Sequence, residues 1–210
     1  HFKEFTINCD LKEAPNYFAE FDIVGFSCYI WNIKQTLELA EKTKEINPYC
    51  KILLGGPEVS FEWEEIIMLP DIDYIIAGEG EIPFTEFLNS YPNIENVPSL
   101  IWKKENKIFE NALARPLDLI ELSDLNPYKN EPVEDLRNKI CYVESTRGCP
   151  HKCEFCLAGL DNKVRYMPTE TVFSNLSYLM KHGRVIKFLD RTFNANVNFA
   201  ISIMKYVVEN

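Results

Sequence analysis

The 210-residue chain predicts an α/β protein in two parts, and three observations carry that expectation. Short apolar runs such as Lys51-Ile-Leu-Leu54 do not alternate with polar residues. A stretch of helical period follows each run, and Gly-bearing turns separate the two. Apolar runs without alternation belong to strands covered by helices on both faces, so the first part predicts a parallel sheet.

The elements follow in order. Asp22-Ile-Val-Gly-Phe-Ser-Cys28 is a strand, and Ile33, Leu37 and Ala40 then share one helical face. The strand at Lys51 to Leu54 precedes a helical stretch carrying Phe61, Ile66 and Met68. Tyr74-Ile-Ile-Ala77 is a third strand, leading to a helix over Ile82 to Leu88. Residues 98 to 110 predict a hairpin turning at Lys104 to Asn106. Pro116, Pro127 and Pro132, among several acidic residues and Asn, interrupt both periodicities, which predicts a connection over 111–138. At Ile140-Cys-Tyr-Val143 the rhythm restarts. A cysteine loop follows, then a helix from Pro168 carrying Val172, Phe173, Leu176, Leu179 and Met180 and ending near Gly183. Val185-Ile-Lys-Phe-Leu189 is another strand, and Val197, Ala200, Ile201, Met204, Val207 and Val208 offer the apolar face of a last helix. Two strand–helix units cannot close a barrel, so the second part is expected to be the opening of a longer domain.

Composition narrows the function classes. With 46% hydrophobic and 13% aromatic residues the chain can bury a sizeable core, and no run reaches the ~18 apolar residues of a membrane span. No membrane partner is expected. Lys and Arg number 22 against 32 Asp and Glu, net −10, so direct nucleic-acid binding would work against the chain's own field. Seven Cys in a chain of this length argue against a disulfide framework and for a reducing, cytoplasmic setting.

The strongest chemical signal is Arg147-Gly-Cys149-Pro-His-Lys-Cys153-Glu-Phe-Cys156, a CxxxCxxC arrangement with an aromatic, Phe155, before the last Cys. Three thiolates from so short a loop can converge on one face of a metal centre, and Gly148 and Pro150 favour the turn. A cubane iron–sulfur cluster held by three sulfurs leaves one iron for an outside ligand. A Cys3His zinc site completed by His151 or His182 is the competing reading, and Cys141 is a further candidate fourth ligand. Cys141 also reads as core filling, as do Cys9, Cys28 and Cys50.

The loop resembles the cluster motif of the radical S-adenosylmethionine superfamily and, as in that family, follows the first strand of a partial TIM barrel. The resemblance implies a 4Fe-4S cluster on Cys149, Cys153 and Cys156, with S-adenosylmethionine chelating the fourth iron. It further implies reductive cleavage of the sulfonium to a 5′-deoxyadenosyl radical, and an electron donor such as flavodoxin or ferredoxin. Phe155 and Asp190 are then candidate cofactor-binding residues. Asp190 lies where the family meets the amino group of S-adenosylmethionine, although the Gly-Gly-Glu signature is absent. Capping, or pairing with Arg191, is its ordinary alternative. Ser145, Thr146 and Arg147 resemble the family's lead-in to the loop, while Arg147 also reads as a solvated charge.

Three turns of the first part carry small residues: Ser27-Cys-Tyr29, Gly55-Gly56-Pro-Glu58 and Gly78-Glu79-Gly80-Glu81. In a flavodoxin-like (Rossmann-like) sheet such turns share the rim where ligands bind, and Gly lets a backbone approach a large flat ligand. Each Gly also reads simply as a strand end. Together residues 20 to 100 resemble the cobalamin-binding domain of one radical S-adenosylmethionine subgroup. That implies a corrinoid rim of Ser27, Tyr29, Gly55, Gly56, Glu58, Gly78, Glu79 and Gly80. The Asp-x-His-x-x-Gly element that would supply a histidine to cobalt is missing, and His1 does not replace it.

The expected organisation is therefore a cobalamin-binding-like domain over 1–110, lacking its first strand and ending in a hairpin. A linker over 111–138 and the first two strand–helix units of a radical barrel over 139–210 complete it. The expected full-length activity is radical methyl transfer or related chemistry, the present piece being inert by itself. A corrinoid- or zinc-binding module without radical chemistry is the alternative. The sequence names no substrate.

Overall fold

The computed structural model of the chain describes residues 10–105, 107–157, 161 and 163–210. His1, Cys9 and Asn106, which figure in the sequence expectations, lie outside the described residues. The chain forms two compact units, His1–Leu117 and Asp118–Asn210.

The first unit carries α1 (Ala14–Phe18), β1 (Ile23–Ser27), α2 (Ile33–Ile46), β2 (Lys51–Gly55), α3 (Glu64–Met68), β3 (Tyr74–Ile76), α4 (Glu81–Ser90), β4 (Leu100–Lys104) and β5 (Lys107–Glu110). The strands form one sheet in the order β1-β2-β3-β4-β5. β1, β2 and β3 run parallel, and β4 and β5 join antiparallel as the expected hairpin. Successive side chains on a strand point to opposite faces, and in β2, β3 and β4 successive residues are buried on both. Ile52, Leu54, Ile75 and Ile101 enter one core with Val24, Ala40 and Ile67. Leu53, Ile76, Leu100 and Trp102 enter a second with Phe87, Ile94 and Val97. That division explains why β2 reads Ile-Leu-Leu without alternation. Each fully buried aliphatic contributes about 1.5–3 kcal/mol relative to exposure.

The face α2 presents is the expected one: Ala40 is buried, with Ile33 and Leu37 packed beside it. α3 differs. Ile67 is its buried residue, whereas Phe61 and Met68 stand exposed, because the helix is only one turn long and starts after Phe61.

The second unit carries α5 (Val133–Asn138), β6 (Ile140–Val143), β7 (Thr146–Arg147), β8 (Arg165–Tyr166), α6 (Thr169–His182), β9 (Val185–Phe188) and α7 (Val197–Glu209). β6 pairs parallel with β9, and β7 pairs antiparallel with β8. Leu136, Cys141, Val143, Val172, Leu176, Leu179 and Ile203 form its core. α7 buries Ala200 and Ile203 but leaves Val197, Ile201, Met204, Val207 and Val208 exposed, so of the expected face only Ala200 is buried.

Residues 111–138, expected as a linker, divide between the units instead. Ser99 N–H donates to Ala112 O at 2.8 Å, Ala114 N–H to Ser99 Oγ at 2.9 Å and Asn111 Nδ2 to Val97 O at 2.8 Å, which ties the chain after β5 to the first unit. A short 3-10 turn, Leu119–Leu122, and α5 then bury Leu119 and Leu136 in the core of the second unit. Burial of these leucines outweighs the turn-forming composition around them.

Candidate functional site

The first candidate site is the rim of the parallel sheet. The register Ser27↔Gly55↔Ile76 sets the carboxyl ends of β1, β2 and β3 side by side, so the three small-residue turns gather on one edge as expected. Cys28 N–H donates to Gly55 O at 2.7 Å and Glu58 N–H to Cys28 O at 3.3 Å, locking the first two turns together. Ser60 Oγ donates to Gly56 O at 2.8 Å and accepts from Gly78 N–H at 3.0 Å, which links the third. Asn32 donates through Nδ2 to Ser27 O at 2.9 Å and accepts from Tyr29 N–H at 2.7 Å.

The glycines of this rim do different jobs. Gly56 has φ +102, and a Cβ there would lie 2.6 Å from Cys28 O, so its lack of a side chain is required by the neighbouring backbone. At Gly78, with φ +80, and at Gly80 a Cβ would meet nothing within 4 Å. Those two leave open space over the rim. Gly55 would make only ordinary contact, 3.8 Å from Ile76 O. Among the carboxylates, Glu58 is half-buried, and Glu79 Oε2 accepts from Leu117 N–H at 2.9 Å, an anchoring role within the unit. Tyr29 stacks on Trp31, ring centres 4.6 Å apart and 7° from parallel, with Trp31 63% exposed. Cys28 is buried in the turn, and burial pushes its thiol up to about 12. Burial likewise raises Cys50 and Cys141, which fill the cores.

The second candidate site is the cysteine loop, an excursion between β7 and β8. Its base is clamped: Cys149 N–H donates to Asp161 O at 3.0 Å, Arg165 pairs with Asp161 at 2.6 Å, and Met167 N–H donates to Ser145 O at 2.9 Å. Gly148, φ +95, approaches Lys163 so closely that a Cβ would lie 2.5 Å from its carbonyl oxygen. Arg147, whose alternative reading was a solvated charge, forms a two-pronged ion pair with Glu144 at 3.0 and 2.8 Å.

Asp190 sits beyond β9 and accepts from three donors through Oδ1: Ser145 N–H at 3.1 Å, Ser145 Oγ at 2.8 Å and Thr146 Oγ1 at 2.5 Å. Its Oδ2 holds only the long 3.4 Å contact with Ser145 N–H. Among the described residues it makes no ion pair with Arg191, contrary to the capping-or-pairing alternative, and instead joins β9 to the segment leading into the loop.

Cys149 is half-buried, while Cys153, Cys156 and Phe155 are exposed, Phe155 to 94%. The Thr192 hydroxyl, 3.1 Å from Cys149 Sγ, holds that thiol below its ordinary value; a backbone hydrogen bond at His151 and the Arg191 charge act in the same sense. Among the described residues no three Cys, His, Asp or Glu side chains are assembled as metal ligands, so the structure does not bring the three thiols together, nor does it close a zinc set with His151 or His182. His182 packs against the Tyr178 ring at 4.7 Å. The donor set itself, three soft thiols with the first already eased toward thiolate, suits iron–sulfur or zinc chemistry.

Sequence reasoning missed Asn32, Ser60, Trp31 and Thr192. Asn32 directly precedes a helical stretch, a position favoured for capping residues, but its side chain ties the turn before α2 rather than a helix amide. Trp31 stacks on Tyr29 two residues earlier, whereas Ser60 and Thr192 owe their roles to Gly78 and Cys149, far away in the sequence.

These observations define an α/β protein with a rim of small-residue turns on a parallel sheet, followed by a strand-borne cysteine loop. Residues 13–88 match the family model of the B12 binding domain. Over most of its length the chain is similar in sequence to proteins that include cobalamin-dependent radical S-adenosylmethionine methyltransferases. It is 29% identical over 198 residues to an uncharacterized methyltransferase of Pyrococcus horikoshii, covering 87% of this chain and 42% of the relative. It is 25% identical over 211 residues to the cobalamin-dependent radical SAM methyltransferase TokK of Streptomyces tokunonensis, covering 91% of this chain and 29% of TokK. The fold matches that of the cobalamin-dependent S-adenosylmethionine radical enzyme OxsB, solved with aqua-cobalamin and S-adenosylmethionine bound. The TM-score is 0.74 at 17% identity, over 97% of this chain and 31% of OxsB. The chain thus spans less than half the length of these relatives. No described helix is long and apolar enough to cross a membrane.

Proposed function

We propose that this chain is the cofactor-holding part of a cobalamin-dependent radical S-adenosylmethionine methyltransferase. The observation that carries the proposal is the succession, in one chain, of a B12-binding-type rim and a CxxxCxxC loop clamped behind a barrel-type strand. In this reading Cys149, Cys153 and Cys156 hold a 4Fe-4S cluster. The open space over Gly78 and Gly80 receives a corrinoid, with Ser27, Tyr29, Gly55, Gly56, Glu58 and Glu79 shaping the rim around it. Asp190 Oδ2, free of close donors, offers an acceptor to the ammonium group of S-adenosylmethionine while Oδ1 keeps the lead-in segment in place. Phe155, fully out in solvent, is available to pack on a bound nucleoside. When bound, the cluster supplies an electron to S-adenosylmethionine and the corrinoid supplies a methyl carrier. A flavodoxin- or ferredoxin-type donor would deliver that electron.

The test is anaerobic reconstitution of the full-length protein with iron, sulfide and hydroxocobalamin. About four irons and four sulfides, a corrinoid absorbance that survives gel filtration, and 5′-deoxyadenosine or S-adenosylhomocysteine formation under reducing conditions are the expected results. One zinc without sulfide would establish a plain metal-binding module instead, and would end the radical reading.

A further inference from the structure

Thr192 and Cys149 are 43 residues apart in sequence, yet the hydroxyl and the sulfur lie 3.1 Å from each other. The segment bearing Thr192 is pinned on both sides of that contact. Leu189 N–H donates to Val143 O at 2.9 Å, Asp190 takes the hydroxyls of Ser145 and Thr146, and Ala195 N–H closes back on Thr192 O at 3.0 Å. The β6–β9 strand pair, rather than the cysteine loop, therefore decides where the hydroxyl stands.

In a free thiol either atom can donate across this contact. A thiolate ligand carries no hydrogen, so the direction is then fixed: Thr192 Oγ1–H donates to sulfur. Among the described residues Cys153 and Cys156 have no comparable side-chain donor, so only one corner of the loop is treated this way. Hydrogen bonds to cluster sulfurs are a recognised lever on reduction potential, because the donor favours the more negative, reduced state.

The geometry points to Thr192 as a positioning residue that orients Cys149 and, by donating to its sulfur, raises the reduction potential of a cluster held by the loop. The inference rests on the cluster reading above. It is tested on the full-length protein, reconstituted without oxygen, as parent, Thr192→Val and Thr192→Ser, with iron and sulfide counted and the midpoint potential read by EPR-monitored titration.

Parent and T192S should hold equal iron and sulfide and share one midpoint. T192V keeps the shape of the side chain but has no hydroxyl. Its reduced-to-oxidised ratio at a fixed potential should fall about tenfold, equivalent to about 59 mV more negative for a one-electron couple. Loss of the cluster from T192V with retention in T192S also supports the assignment. A T192V midpoint equal to or above the parent's, or T192S displaced as far as T192V, overturns it. A parent protein devoid of iron and sulfide would instead overturn the cluster reading itself, so the two failures are distinguishable.

Discussion

Replacing Gly56 by Ala should unfold the rim of the first unit. The residue occupies φ +102, ψ 173, a region essentially reserved for glycine, where another residue costs on the order of 1–3 kcal/mol. The added Cβ would also lie 2.6 Å from Cys28 O and 3.0 Å from Cys28 N. Neither atom can retreat cheaply, because Cys28 N–H donates to Gly55 O and Cys28 O accepts from Glu58 N–H. Strain and collision together should cost about 3 kcal/mol or more, a fall in Tm of roughly 12 °C at about 4 °C per kcal/mol. Gly78→Ala is the internal control: it has φ +80 but no atom within 4 Å, so only the conformational part, about 1–2 kcal/mol, applies. Thermal unfolding followed by circular dichroism reads both. If G56A melts within 1–2 °C of G78A, the collision with Cys28 is not what demands glycine, and the account of the rim is refuted.

The remaining predictions concern the thiols and Asp190. Asp190→Ala leaves the buried Ser145 and Thr146 hydroxyls without their acceptor, so the second unit should lose roughly 2–3 kcal/mol in urea unfolding; an unchanged midpoint would deny the clamp. Brief iodoacetamide treatment of metal-free native protein, read by peptide mass mapping, should label Cys153 and Cys156 readily and spare Cys28, Cys50 and Cys141; labelling of Cys28 at the rate of Cys153 would contradict its burial. The Cys28 thiol is raised in the folded state from its ordinary 9.0 to about 12. Its protonated form therefore stabilises the fold below pH 9, and that stability drains away as pH climbs toward 12. Against Cys28→Ala, the parent should lose up to about 1.4 kcal/mol more per pH unit between pH 9 and 11, checked by urea unfolding at each pH.

Much of the first unit was legible because its strands are buried on both faces, and continuous runs such as Ile52-Leu-Leu54 advertise that directly. The gathering of three Gly-bearing turns followed from parallel pairing alone. α7 was misread for a physical reason: Val197, Phe199, Ala200, Ile201, Ile203, Met204, Val207 and Val208 surround the helix, so period cannot choose the buried side. The stretch 111–138 was read as a linker because prolines and acids outnumber the leucines that anchor it. The cysteine motif was visible as spacing, but Thr192 and the Asp190 clamp depend on β9 pairing with β6, a long-range fact that local patterns do not encode.

The seam formed by Asn111, Ala112, Ala114 and Leu117 matters to anyone dissecting the protein. A polypeptide stopped at Glu110 would carry all five strands yet forfeit the partners of Val97, Ser99 and Glu79. Among them is the amide that steadies the very bend bearing Gly78 and Gly80. Extending the cut to just past Leu117 keeps that stitching whole, and a bend deprived of it would be a poor place to look for a bound macrocycle.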